Sequence, residues 1–369
     1  MYYIGLMSGT SMDAVDAALV EFDKKAVVKL YKEYPLEASV KKQIRQINEK
    51  SNLINVATLD NKLGYIFADA ANDLIKLANI NPNQVAAIGS HGQTVLHVPT
   101  IKEKTSIQIS DPNIICAQTG IVTVADFRRM DMAFGGEGAP LASAFHEYQF
   151  KERNKSIAIL NIGGFANVTL LPCDKNKIIG FDTGPGNALL DDWIRQNKNV
   201  EYDKEGIWAN SGKVDSKLLE LLLKDDYFSL SMPKSTGREY FNLEWLKANL
   251  DKLNKELSAE TIQATLLKLT AVTITDAIKK YADGMTKVLI CGGGVNNLLL
   301  IKKIQKLLAG IEVTTTSEYG LPPDCIEAVA FAWLAKKRLD NKSTNVPDVT
   351  GANRNTVLGG VYAPNKEKN

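Results

Sequence analysis

The residues of this chain best suited to chemistry lie in glycine-rich turns, each following an apolar run. The first is Gly5-Leu6-Met7-Ser8-Gly9-Thr10-Ser11-Met12-Asp13. Its small residues let backbone N–H groups approach an anion closely, and Ser8, Thr10 and Ser11 add hydroxyl donors. Asp13 is suited to Mg²⁺, directly or through water. The same residues also suit a plain tight β-hairpin. No Gly-Lys-Ser/Thr follows, which excludes a Walker loop, and a strand rather than a helix comes next, which excludes a dinucleotide fingerprint. Gly163-Gly164 repeats the pattern with the same two readings. Gly292-Gly293-Gly294 stands between a strand and a helix, where glycine admits a flat ring or a phosphate at the helix N-terminus. A plain strand-to-helix turn needs fewer than three consecutive glycines. Three such turns in one chain point to a bound nucleotide more strongly than any one of them.

The elements that must position these turns follow from periodicity. Alternating apolar positions predict strands over Tyr2 to Gly5 and Val15 to Phe22, and helical spacing predicts helices over Val40 to Glu49 and Val56 to Ala78. A strand over Gln84 to Ser90 runs into His91-Gly92-Gln93-Thr94. The stretch Arg128 to Pro140 is rich in Gly and charge and poor in periodicity, so it reads as a functional loop near a domain boundary. Strands are expected over Ser156 to Leu160, Asn167 to Leu171 and Lys177 to Phe181, the last ending in Asp182-Thr183-Gly184-Pro185-Gly186-Asn187. A buried strand over Lys287 to Ile290 empties into the glycine triplet. A final helix runs from Asp324, as N-cap, to Leu339. A strand, glycine turn and strand open the chain and recur near residue 160. The pattern is that of two related α/β lobes clamping a nucleotide.

Composition narrows the field. The chain has 369 residues, enough for two domains, with 45% hydrophobic and 23% charged residues and a net charge of +2. That balance gives no reason to expect nucleic acid or a membrane surface as a partner. No signal-peptide pattern is seen, and no window approaches the roughly 20 apolar residues of a membrane span, so a cytoplasmic location is expected. Cys116, Cys173, Cys291 and Cys325 lack metal or disulfide spacing and read as small core residues. His97 and His146 read as structural.

On these residues the chain resembles the anhydro-N-acetylmuramic acid kinases. The similarity runs from the first turn through Ser90-His91-Gly92-Gln93-Thr94, Ala125-Asp126-Phe127-Arg128 and Gly135-Gly136-Glu137-Gly138-Ala139-Pro140-Leu141. It continues over Asn161-Ile162-Gly163-Gly164, Gly180 to Asn187, the glycine triplet and Thr350-Gly351-Ala352-Asn353-Arg354. Two departures stand out: Ala14 where glycine is expected, and Glu137 where glutamine is expected. The resemblance implies an α/β fold of two ribonuclease H-like lobes around a central cleft, as in actin-like ATPases and sugar kinases. The expected lobes are 1–127 with 345–369, and 128–344. It further implies ATP and Mg²⁺, a homodimer, and a small sugar substrate, the 1,6-anhydro sugar released in peptidoglycan recycling.

The resemblance also suggests roles. Opening an anhydro bond with water needs a base, as in an inverting glycosidase, and Asp182 matches the family's base; capping a helix near Ala188 or closing an Asx-turn is the alternative. Arg128 and Arg129 are suited to a sugar carboxylate by bidentate geometry, with Arg128 matching the motif better and at least one of the two expected in solvent. Asp131 binds sugar hydroxyls or pairs with a neighbouring arginine. Glu327 contacts the sugar or water, although a first-turn carboxylate is also favoured by the helix dipole. His91 lines the sugar pocket or is structural. For ATP the expected residues are Gly9, Thr10, Ser11, Asp13, Gly163, Gly164, Gly292, Gly293 and Asn296, with Asp13 toward the metal. The rival readings are an ordinary amino-sugar kinase and a non-catalytic nucleotide switch.

Overall fold

The computed structural model of the chain describes residues 1–9, 12–47, 50–99, 102–173, 177–232, 234–281 and 284–364. It divides into two compact units, Met1–Gln149 with Cys325–Asn369, and Phe150–Asp324. The boundaries expected at 127/128 and 344/345 both fall within the first unit on this division.

The first unit is built on a mixed sheet of β1 (Tyr2–Ser8), β2 (Ala14–Phe22), β3 (Ala26–Pro35), β4 (Val85–Val98), β5 (Thr105–Ile109), β6 (Thr123–Ala125) and, from the far end of the chain, a strand at Gly360–Tyr362. β1, β2 and β3 are antiparallel neighbours, while β4 lies parallel to β1 and β6 parallel to β4. β1 and β2 are apolar on both faces because both faces are covered. Leu59, Leu63, Phe67 and Leu74 of the helix Leu53–Leu77 meet Ile4, Leu6, Val15 and Leu19. The helix Ile326–Leu339 packs on β1 and β4 from the other side. There the register sets Gly5 beside Gly89, and a Cβ at either would collide with the helix backbone, at Ala328 and Phe331 respectively. These two glycines let the helix approach the sheet closely.

The second unit repeats the plan with β7 (Ser156–Ile162), β8 (Phe165–Leu171), β9 (Ile179–Pro185), β10 (Met285–Cys291) and β11 (Glu312–Thr315). β7, β8 and β9 are antiparallel, β10 is parallel to β7, and β11 is parallel to β10. The buried helix Ala259–Tyr281 covers β8 and β9, with Leu266, Leu267 and Ile274 joining Leu160, Val168, Phe181 and Val288 in one core. The second sheet reads β9-β8-β7-β10-β11 and the first β3-β2-β1-β4-β6, with β5 paired to β4 off that path and Gly360–Tyr362 beyond β6, in keeping with the ribonuclease H-like fold that the resemblance implied.

Several local expectations are corrected by pairing. β4 does not stop at Ser90; it runs to Val98 because β5 pairs with it from Gln93 onward. β9 does not end at Phe181, since β8 pairs with it as far as Pro185. Asp324 is not an N-cap: a 3₁₀ turn, Pro323–Cys325, precedes the helix at Ile326. Cys116, Cys291 and Cys325 are buried, but Cys173 is exposed.

Candidate active site

In the first unit, the turn between β1 and β2 closes with Met12 N–H donating to Gly9 O at 3.0 Å, Met12 taking a left-handed φ of 60°. Thr10 and Ser11 lie outside the described residues. Ser8 is buried and donates to Gln93 Oε1 at 2.8 Å, tying the end of β1 to β4. Asp13 projects outward, with 64% of its side chain exposed and Oδ1 at 3.1 Å from Lys41 Nζ. Among the described residues no group of three or more His, Cys, Asp or Glu could hold a metal ion.

The continuation of β4 beyond Ser90 carries His91, only 4% exposed. Arg128 Nε and Nη2 lie at 3.0 and 2.9 Å from His91 Nε2, and Arg128 Nη1 donates to Gly138 O at 2.7 Å. An acceptor at Nε2 places the ring proton on Nδ1, which donates to Gly92 O at 3.0 Å. Burial first, and the Arg128 charge second, hold the His91 pKa well below its ordinary value. The neutral ring, tilted against Phe331 at 4.5 Å between centroids, thus serves as an acceptor that aims Arg128. The same guanidinium acts on Glu327, in the first turn of the helix Ile326–Leu339. Glu327 reaches solvent, but protein crowds its carboxyl. The resulting desolvation, only partly offset by Arg128, raises its pKa.

Arg129 turns away, exposed and paired with Asp126 at 2.7–2.8 Å. Asp131 faces neither solvent nor an arginine. It is fully buried, Oδ1 accepting from Asn345 Nδ2 at 3.0 Å and Thr350 Oγ1 at 2.8 Å, Oδ2 from Gly138 N at 2.9 Å. Those bonds fasten the loop that follows Arg128 to the segment 345–350. Asp131 therefore shapes the surroundings of Arg128 through Gly138.

In the second unit, the Gly163-Gly164 turn receives the start of the helix Ala188–Lys198. Gly164 O accepts from Gly186 and Ala188, and Gly163 O accepts from Asn187, all at 2.9 Å. The Gly163 N–H is engaged by Phe165 O at 3.1 Å. A Cβ on Gly163 would meet only Phe165 O, at 3.7 Å, so its outer face is open. The glycine triplet divides by position. Gly292, at φ 80°, could not carry a side chain beside Asn161 and Ile162, and Gly294 abuts the Ile162 side chain. Gly293 meets nothing within 4 Å and, with Asn296, is exposed. Asn297, not Asn296, caps the following helix, accepting from Leu300 N at 3.1 Å.

Asp182 sits within β9, paired with Asn167 beside a register shift. Its Oδ2 accepts from Thr236 N at 3.0 Å, its carbonyl from Tyr227 Oη at 2.8 Å, and its N–H donates to Lys234 O at 3.2 Å. It does not cap the helix at Ala188. Burial lowers the Lys234 pKa against the opposing pull of Asp182. A half-buried carboxylate on a strand, held by the Thr236 amide and near a lysine, is equipped to take a proton. Tyr227, Lys234 and Thr236 were missed by sequence reasoning, and no local signal marks them.

The description "Anhydro-N-acetylmuramic acid kinase" belongs to the family model that matches residues 1–364. An anhydro-N-acetylmuramic acid kinase from Coxiella burnetii (strain Dugway 5J108-111) is 47% identical over 363 residues, covering 98% of this chain and 97% of the relative. One from Aliivibrio fischeri is 45% identical over 367 residues, covering 98% and 99%. Solved structures align more loosely: a ROK family glucokinase from Streptomyces griseus covers 91% of this chain and all of its own, at 14% identity and TM-score 0.41. With nearly the whole chain matched, end to end with whole relatives, the chain belongs to the anhydro-N-acetylmuramic acid kinase family.

Proposed function

We propose that the protein is an ATP-dependent kinase that opens 1,6-anhydro-N-acetylmuramic acid with water and phosphorylates O6. Water oxygen bonds to C1 while a water proton passes to Asp182. The C1–O6 bond breaks with its electron pair on O6, O6 bonds to the γ-phosphorus, and ADP leaves. The other product is N-acetylmuramic acid 6-phosphate. The observation that carries this reading is the Asp182 carboxylate, set on a paired strand and held at Oδ2 by the Thr236 amide. Such a group is a general base with restricted freedom.

The remaining roles divide by chemistry. Arg128, aimed by neutral His91, takes the sugar carboxylate, and Glu327 takes a sugar hydroxyl or water. Asp131 supports this set by holding the Gly138 loop. Gly9, Thr10, Ser11 and Asp13, with Gly163, Gly164, Gly292, Gly293 and Asn296, serve ATP. Asp13 fits Mg²⁺, because one exposed carboxylate together with phosphates and waters is how that ion is commonly held. When bound, the ion offsets phosphate charge. Family membership also favours a cytoplasmic homodimer, and among the described residues no helix is long and apolar enough to cross a membrane.

The test is reaction of the anhydro sugar with ATP in ¹⁸O water. Wild type is expected to give 6-phosphorylated product labelled at C1, and Asp182→Asn to lose about 10²–10⁴ in rate. No product from the anhydro sugar, together with phosphorylation of a free amino sugar, would move the protein to the ordinary sugar kinases.

A further inference from the structure

Three hydrogen bonds to Asp182 come from one stretch of the second unit. Tyr227 holds its carbonyl, Lys234 its N–H and Thr236 its Oδ2. Lys234 is itself anchored, its Nζ donating to Tyr227 O at 3.1 Å and lying 4.6 Å from the centre of the Tyr227 ring. The stretch is thus tied to Asp182. Within it, the Thr236 hydroxyl is buried and finds no hydrogen-bond partner in the protein among the described residues. Buried hydroxyls are rarely left so, and an orphan of this kind calls for an explanation. Two other side-chain atoms of the described residues in this unit share the condition, Gln263 Oε1 and Thr316 Oγ1, but the Gln263 amide nitrogen is directed at Asp203. Thr236 joins an orphan hydroxyl to the amide that fixes the base.

We propose that Thr236 Oγ1 orients the attacking water, an inference that rests on the reading of Asp182 as the base. The water donates one O–H to Asp182 and the other to Thr236 Oγ1. With both protons engaged, a lone pair is left to face C1. As the C1–O bond forms, the first proton moves to Asp182 and the C1–O6 electron pair leaves on O6, which is captured by the γ-phosphorus as ADP departs. The second proton stays on the new C1 hydroxyl, still bonded to Thr236. Placing amide and hydroxyl on one residue fixes the carboxylate and the water in a common frame, which is where positioning yields rate.

The experiment compares wild type, Thr236→Val, Thr236→Ser and Asp182→Asn by steady-state kinetics and by ¹⁸O incorporation from solvent. Valine keeps the shape and the amide bond to Asp182 but removes the hydroxyl. Thr236→Val is expected to lower kcat about 10- to 100-fold. Its KM for sugar and for ATP should stay within about twofold, which also reports that the variant is folded, and its product should still carry label at C1. Thr236→Ser, retaining the hydroxyl, should restore most of the rate. A wild-type kcat in Thr236→Val, a loss shared equally by Thr236→Ser, or a raised sugar KM with kcat unchanged would each overturn the proposal. If wild type itself places no label at C1, the reading of the reaction fails and this inference with it. If wild type labels C1, Asp182→Asn does not, and Thr236→Val is unimpaired, only the role of Thr236 falls.

Discussion

β4 and β10 hold the same place in their two sheets, fourth in order and parallel to the first strand, yet they end differently. β4 continues for 14 residues, partners β5, and carries His91 and His97 out past Ser90. β10 stops after seven and breaks at once into a 3₁₀ turn of glycines. The long strand supplies side chains: an acceptor histidine, and through it an arginine fixed beside a carboxylate. The short one supplies bare backbone. A polar, shaped sugar needs directed side chains, whereas a nucleotide can be held by close approach to main chain. On the proposed roles, one sheet plan serves two kinds of ligand, and where its fourth strand stops is part of the difference.

The most damaging way to disturb β4 is to fill its bare face. Gly89 lies under the backbone of the helix Ile326–Leu339, and a methyl there would overlap the Phe331 carbonyl while pressing on Ala335. Because backbone rather than a flexible side chain stands in the way, the helix that carries Glu327 has to shift. Gly89→Ala is expected to cost about 3 kcal/mol, at the upper end of overpacking effects. Denaturant midpoints measure this, and an unchanged midpoint would show that helix and sheet are not so closely locked.

A second difference between the units is acid sensitivity. All three histidines, His91, His97 and His146, lie in the first unit. Burial lowers each of them, with Arg128 adding to the effect on His91 and His97; His97 falls to about 4 and His146 to about 3. A folded pKa below the unfolded value means that the unfolded chain gains protons first as pH falls. The stabilisation is therefore complete above about pH 6.5 and is lost toward pH 4. Each histidine contributes a slope of up to about 1.4 kcal/mol per pH unit. The raised carboxyl of Glu327 works in the opposite sense. His97→Gln, which removes one of these titrations, should flatten the fall in stability between pH 6.5 and 5 by about one histidine's share. Equal slopes in variant and wild type would sink the assignment.

What the sequence made legible follows from the range of each interaction. Apolar alternation marks β1, β2, β7 and β8 because burial on a sheet face is a local demand. The two turns and the triplet were visible because glycine is required where backbone is tight or bare. β6 and the strand at Gly360–Tyr362 were not visible: three residues each, they exist by pairing across the length of the chain. Nor was the full extent of β4, which depends on β5. The site divides in the same way. Asp182 and Arg128 stand in recognisable motifs, but Thr236 lies 54 residues from Asp182 in an unremarkable Lys-Ser-Thr-Gly run. Asp131 looked like a ligand because it is charged and sits in a glycine-rich loop. Only the distant Asn345 and Thr350 reveal that its carboxylate is an internal tie.

The smallest effect on stability is expected where the contrast between the two strands is sharpest. Within one triplet after β10, Gly294 is glycine because Ile162 occupies the space a side chain would need, whereas Gly293 has nothing within 4 Å. Gly293 has no positive φ among the described residues, so its backbone poses no obstacle to alanine. No packing demand accounts for that glycine, whereas the proposed close approach of a nucleotide would. Gly293→Ala should therefore leave stability within about 0.5 kcal/mol while raising KM for ATP about tenfold, equivalent to roughly 1.4 kcal/mol of binding. Gly294→Ala should do the reverse, losing stability through overpacking. If Gly293→Ala leaves KM for ATP unchanged, the open face of the triplet does not serve the nucleotide, and the functional difference between the ends of β4 and β10 rests on the first unit alone.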